Sequence, residues 1–299
     1  MPHFEYLLIS CAMLAAVRTR FALDDVQAAY PVRYEQSMNT VLVQEVIRYN
    51  RLLKALQSSL QDLLRALKGL VVLSSELEQM MSCIFDNKVP LPWASRAYPS
   101  LKPLAAWVLD LRRRLDFIQD WIAHGPPPFI WISGFFFPQA FLTGQLQNYA
   151  RAHVVSIDSV SFGFRVLDDR YITSETRETI RDAPAEGCYI DGLFLEGARW
   201  DGTSGHVLAE SDPKALFTDM PPIHLQPEAN RKQGGAGGGG AGGGRCVYDC
   251  PVYKTLTRAG TLSTTGHSTN FVFAIEVPTD LPPAHWVKRA VALICALNY

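Results

Sequence analysis

No Gly-Lys dipeptide occurs in the sequence, and therefore no G-x-x-x-x-G-K-[ST] loop to cradle nucleotide phosphates on its backbone N–H groups. Also missing are His-Glu-x-x-His, Cys-x-x-Cys and Gly-x-Ser-x-Gly, the compact signatures of zinc hydrolysis, dithiol redox chemistry and nucleophile-elbow acyl transfer. No Asn-x-Ser/Thr sequon occurs, and six cysteines in 299 residues are too sparse for a disulfide-held scaffold. They read mostly as small buried hydrophobes in a reducing compartment. A dominant charge is missing as well. Twenty-eight Lys and Arg face 29 Asp and Glu, a net charge of −1, which supplies no long-range attraction for nucleic acid or an anionic membrane but leaves room for a local basic patch. The apolar run Tyr6 to Val17 is too short for a bilayer span of about 20 residues. Only His3 and Glu5 precede it as ionisable side chains, so it reads as a buried helix or a leader, not a signal peptide.

What remains is largely apolar. Hydrophobic residues make up 48% of the sequence and charged residues 19%, enough to bury the core of one large or two modest domains. From Ser37 to Leu67 an apolar stripe runs through Leu42, Val46, Tyr49, Leu53, Leu56, Leu60, Leu63 and Leu67 in steps of four and three, one face of a helix. Ser37 and Asn39 are candidate N-caps, and Gly69 is placed to end the helix in the left-handed conformation. Leu70, Leu73, Leu77, Met80 and Ile84 mark a second helix that must stop by Pro90 and Pro92. A third spans about Leu101 to Ala123, with Arg112, Arg113 and Arg114 read mostly as its solvated flank. Phe129 to Ile132 favours a strand, and Pro138 opens a further helix to about Ala152.

After Val154 the helical period gives way to short alternating runs: Val160–Val166, Tyr189–Leu195, His206–Leu208, Ile223–Leu225, Val252–Leu256, Phe271–Val277 and Trp286–Leu293. The expected fold class is α+β, an N-terminal helical bundle portion followed by a small antiparallel β-barrel-like domain. The division is a poorly defined leader at 1–32, a helical subdomain at 33–153 and a β-rich subdomain at 154–299. Within the last, a flexible Gly-rich insert occupies 231–245. Its core, Gly234 to Gly244, satisfies G-x-G-x-x-G at Gly235, Gly237 and Gly240, as any glycine tract does. With no strand before it and no periodic helix after it, it is a tether between strands and not a dinucleotide site.

Few constellations carry chemistry. Cys246 and Cys250 are half of a metal site at most, because no second ligand pair follows at suitable spacing. His267 lies in a hydroxyl-rich run beside Ser268, with Asp191 as an imaginable orienter, but neighbours in an extended strand point to opposite faces. Those hydroxyls are better employed on backbone groups of a tight turn. Trp131, Phe135, Phe136 and Phe137, clustered around Gly134, read as core where the helical and β parts meet, and Trp286 reads in the same way.

Five segments are more distinctive. Tyr34 to Glu45 (YEQSMNTVLVQE), Trp131 to Gln139 (WISGFFFPQ) with Phe141 to Thr143, and Cys188 to Gly197 (CYIDGLFLEG) with Trp200-Asp201 are the first three. Cys250 to Thr255 (CPVYKT) and Arg258 to Phe271 (RAGTLSTTGHSTNF) complete the set. Together, in this order over about residues 25 to 297, the sequence resembles the C-terminal region of dynein heavy chains, of axonemal type. The resemblance implies a helical portion continuing from the sixth AAA+ module and then a small β-barrel, lying against one face of a motor ring. It further implies a share in ATP-driven, minus-end-directed movement along microtubules, in the cytoplasm and cytoskeleton and at the axoneme of cilia and flagella.

Implied partners are the AAA+ ring modules and other dynein subunits, with no nucleic acid, no membrane and no direct microtubule contact. No catalytic, cofactor-binding or metal residue carries over, so no cofactor and no enzymatic activity is expected of this polypeptide itself. Met1 to Arg20 departs from the family sequence expected before Asp24, and the glycine tract looks inserted. Both suit a truncated or shortened product. The alternatives are a free-standing dynein-interaction module and, more remotely, a hydrolase using His267.

Overall fold

The computed structural model describes residues 20–168, 180, 182–203, 205–229, 245–261 and 268–299. The leader, the glycine tract and the run containing His267 therefore fall wholly or largely outside the described residues. The helical part comprises α1 (Leu23–Ala29), α2 (Ser37–Leu67), α3 (Ser75–Phe85), α4 (Leu91–Ala94), α5 (Leu104–His124) and α6 (Pro138–Ala152). The long α2 follows its stripe: Leu42, Val46, Tyr49, Leu53, Leu56, Leu60 and Leu63 are buried. Lys68 caps it, and Gly69 follows at φ +72°, a conformation open to glycine because it has no Cβ. The N-terminal cap differs from expectation. Gln36 holds the cap position without a side-chain bond to a helix N–H, and the N–H of Ser37 is met from another helix, by Asn148 Oδ1 at 3.0 Å.

Other boundaries move for local reasons. A turn separates α2 from α3, whose first turn is capped by the Ser74 hydroxyl accepting from the Leu77 N–H at 3.3 Å. Pro92 stands in the first turn of the short α4, where its missing N–H leaves no bond unmade, so a proline expected only to stop a helix begins one. Part of the stretch assigned to a leader is docked: Val26 of α1 is buried, and the Tyr30 hydroxyl donates to the Trp121 carbonyl at 2.8 Å.

Strands β1 (Phe129–Trp131), β3 (Cys188–Asp191), β8 (Ile223–Ala229) and β2 (Val160–Val166) make a four-stranded sheet in that spatial order. Strands β5 (Ala198–Asp201), β6 (Val207–Glu210), β10 (Phe271–Thr279), β9 (Cys246–Thr255), β11 (Ala292–Ala296), β4 (Phe194–Glu196) and β7 (Phe217–Asp219) make a seven-stranded one. Most strands fall close to where alternation placed them, but β5 and β7 answer to no expected run, Tyr189–Leu195 divides between β3 and β4 of different sheets, and the antiparallel barrel is not found. Among the described residues both sheets are open and mixed, with parallel pairs β1–β3, β6–β10 and β9–β11. Parallel partners come from segments distant in sequence, which alternation along one strand does not specify.

Trp286 is a second correction. It lies in α7 (Pro283–Lys288), with Pro283 in the first turn, and the strand begins only at Ala292. Its indole N–H donates to the Thr279 hydroxyl at 2.7 Å in the interior. At the edge of β3, Gly187 has φ +77° and lies so close to Leu225 that a Cβ there would meet the carbonyl oxygen at 1.9 Å. One apolar core runs from Val26 in α1 through the helices and both sheets to Cys295 in β11.

Candidate functional site

The polar chemistry of the interior gathers at the segment Trp131–Phe137. Proximity to β3 comes first: β1 pairs with it in parallel register, Trp131 opposite Asp191, which anchors the segment to the four-stranded sheet. The backbone then makes a single 3-10 turn, Ile132–Gly134, whose three residues are all buried. Buried carbonyls at such a turn must find donors, and they find them on the helices. The Tyr49 hydroxyl of α2 donates to the Gly134 carbonyl at 2.6 Å. Arg114 of α5 donates through Nη1 to the Ser133 carbonyl. The Ser133 hydroxyl donates in turn to the carbonyl of Cys295 in β11 at 2.5 Å. One seven-residue stretch thus holds the long helix, a second helix and an interior strand of each sheet.

Two charged side chains complete this junction. Arg114 is 3% exposed, so the reading of all three arginines as a solvated flank fails for this one. Its Nε lies 2.6 Å from Asp110 Oδ2, one helical turn earlier, and its guanidinium carbon sits 3.6 Å from the centroid of the Tyr98 ring. Burial works against its charge, but Tyr98, Tyr49 and Asp110 more than offset burial and raise its pKa. Glu45, 1% exposed, accepts from the N–H groups of Phe136 at 2.6 Å and Phe137 at 3.2 Å and pairs with Arg48 Nη1 at 2.9 Å. Burial pushes its pKa up, and these donors only partly oppose that. Burial also raises the Tyr49 and Tyr98 phenols far above their ordinary values, so both stay protonated and act as fixed donors or packing rings.

Aromatic rings fill the rest of the junction. Phe117 meets Trp131 and Phe135 edge-on at 6.1 and 5.6 Å, Phe135 stacks on Phe141 at 5.0 Å, and Phe136 meets Tyr49 edge-on at 4.7 Å. The aromatic cluster is therefore core where helices meet sheets, as its sequence suggests. Phe137 alone turns outward, 42% exposed, beneath the Arg48 guanidinium. The sequence did not identify Glu45 or Arg114 as buried charges, although spacing pointed to both. Arg114 stands three residues after Leu111 and four before Ile118, and Glu45 three after Leu42 and four before Tyr49. Both positions lie on the apolar stripe.

The other candidates do not converge. His267 lies outside the described residues. Ser268 is turned to local backbone, accepting from the Asn270 N–H at 3.2 Å. Asp191 is buried at the end of β3 beside the junction. Cys246 is exposed and Cys250 buried on the same strand, and burial pushes the Cys250 thiol up. Cys188 and Cys295 are likewise pushed up to about 12, which makes them packing groups rather than nucleophiles. Among the described residues no cluster of three or more His, Cys, Asp or Glu is placed to hold a metal. No helix among them is long and apolar enough to cross a membrane.

Residues 6–295 match a family model that describes the C-terminal domain of the dynein heavy chain. The match begins inside Met1 to Arg20, the stretch expected to depart from the family, and it continues across the glycine tract. Among similar proteins, dynein axonemal heavy chain 1 of Homo sapiens is 60% identical over 277 residues, which are 93% of this chain and 6% of the relative. Dynein axonemal heavy chain 3 of Mus musculus is 49% identical over 286 residues, 96% of this chain and 7% of the relative. Dynein axonemal heavy chain 12 of Rattus norvegicus is 48% identical over 286 residues, again 96% of this chain and 9% of the relative. The protein thus spans less than a tenth of the length of each of these relatives.

Proposed function

This protein belongs to the family of C-terminal domains of dynein heavy chains, and we propose that it is the non-catalytic brace of an axonemal dynein heavy chain. In this reading the helical part, 33–153, continues from the sixth AAA+ module. The β-rich part, 154–299, follows, and the two lie together against one face of the motor ring. The brace takes part in ATP-driven, minus-end-directed movement along microtubules in cilia and flagella by stiffening or restraining its neighbours through the ATP cycle. Its partners are the ring modules and other dynein subunits, and its place is the cytoskeleton of the axoneme.

The observation that carries this reading is the junction at Trp131–Phe137. Its charges turn inward, onto backbone groups of a turn, and its two phenols are locked in the neutral state by burial. A site whose polar groups are spent on internal bonds suits a part that passes strain between elements, and Arg114, Glu45, Tyr49 and Ser133 are all so spent. Names of relatives supply the axonemal setting. Isothermal titration calorimetry with Mg-ATP tests the non-catalytic part. The brace reading expects no heat of binding from the purified protein, and a stoichiometric ATP site would end it.

A further inference from the structure

A second feature lies on the outer side of α2, and we infer that it is a binding cleft for an acidic polypeptide segment. The cleft, about 690 Å³, opens between α2 and the turn that follows α4. Arg48, Arg51 and Lys54 line one wall, Arg96 stands on the other, and Phe136 adds to an apolar floor. Among the described residues no Asp or Glu side chain lines it. Arg51 and Lys54 are exposed and have no acidic partner among the described residues. Among the described residues Arg96 reaches only the Pro92 carbonyl, at 3.0 Å. Arg48 is the exception: its pairing with buried Glu45 fixes its guanidinium at the rim.

Cations held this close together repel one another, and an otherwise balanced surface gains nothing by leaving them unpaired. Their spacing suits carboxylates. Steps of three residues advance about 4.5 Å along a helix, so Arg48, Arg51 and Lys54 span about 9 Å. Acidic side chains one turn apart on a helix, or two apart on a strand, recur every ~6 Å on the same scale. The floor adds a second requirement. Phe136 and the neighbouring apolar atoms suit the methylene stems and backbone of a peptide, and the Ser58 hydroxyl stands ready for its polar groups. A concave cleft cannot lie flat on a bilayer, and a protein of net charge −1 has no far field to draw in a nucleic acid. The site goes beyond the brace reading and does not depend on it.

Fluorescence anisotropy of a labelled oligoglutamate peptide with the 299-residue protein tests the inference. Saturable binding that weakens as salt rises is expected. The double variant Arg51→Glu/Lys54→Glu should weaken it at least about tenfold, while Lys68→Glu/Lys288→Glu, the same charge change at two exposed lysines elsewhere, should change it less than about twofold. Both variants alter exposed side chains, and unchanged circular dichroism establishes that they fold. Absence of saturable binding overturns the inference, as does an equal loss in both double variants. Displacement of the peptide by inorganic phosphate or single-stranded DNA at matched charge also overturns it, since the cleft would then select phosphate.

Discussion

A buried arginine is informative only if its charge is answered, and Arg114 is answered three times, by Asp110, by the Ser133 carbonyl and by the Tyr98 ring face. Removing it leaves a largely buried carboxylate and a buried carbonyl without their donor. Arg114→Met should therefore destabilise the fold by about 3–5 kcal/mol in urea denaturation. Arg114→Lys should recover little, because an ammonium cannot serve Asp110 and Ser133 from one planar fork. Glu45 makes a prediction of opposite character. Burial raises its folded pKa above the ordinary 4.5, so the folded protein binds this proton more tightly than the unfolded protein does. Its contribution to stability is fully present below that ordinary value and is lost as pH rises through the folded pKa. Unfolding free energy measured from pH 4 upward should fall across that window, and Glu45→Gln should flatten the fall. Both residues were visible by spacing and hidden by identity. Three arginines in a row look solvated, yet successive residues on a helix turn by about 100°, so only Arg112 and Arg113 face out.

At the scale of elements, periodicity located α2, α5 and α6 to within a few residues, because an amphipathic stripe is a local property of the sequence. What it could not supply is who completes each end. The start of α2 is closed by Asn148 and Gln147 of α6, with Arg151 donating to the Ser37 hydroxyl at 2.6 Å. These partners lie more than a hundred residues away. Asn148→Ala should cost about 1 kcal/mol, read as a lowered urea midpoint with an unchanged m value. Asn39→Ala, at the position that looks like a cap, should lose less, since among the described residues its amide contacts only the Pro31 carbonyl and the Gln36 side chain and caps no helix N–H. The sheets show the same limit. Alternation located most strands, yet the partners of β1, β6 and β9 were decided by packing between distant segments.

For the whole molecule, the brace requires helices and sheets to behave as a single mechanical body, tied at Trp131–Phe137 and sharing one core. A brace made of two loosely joined parts would absorb strain instead of transmitting it. The resemblance carried by five sequence segments was sufficient to assign the family, because those segments are long and ordered; the junction that ties helices to sheets needed coordinates. Native-state hydrogen exchange read by mass spectrometry addresses this most directly. In a single body, amides of α2 around Tyr49 and of β9 and β11 around Val252 and Ile294 exchange only through one opening, with a common free energy and a common denaturant dependence. Ser133→Ala, which removes the hydroxyl link to Cys295, should then lower protection on both sides of the junction together. Sheets that open at a distinctly lower free energy than the helices, with α2 unaffected by that substitution, would contradict the brace.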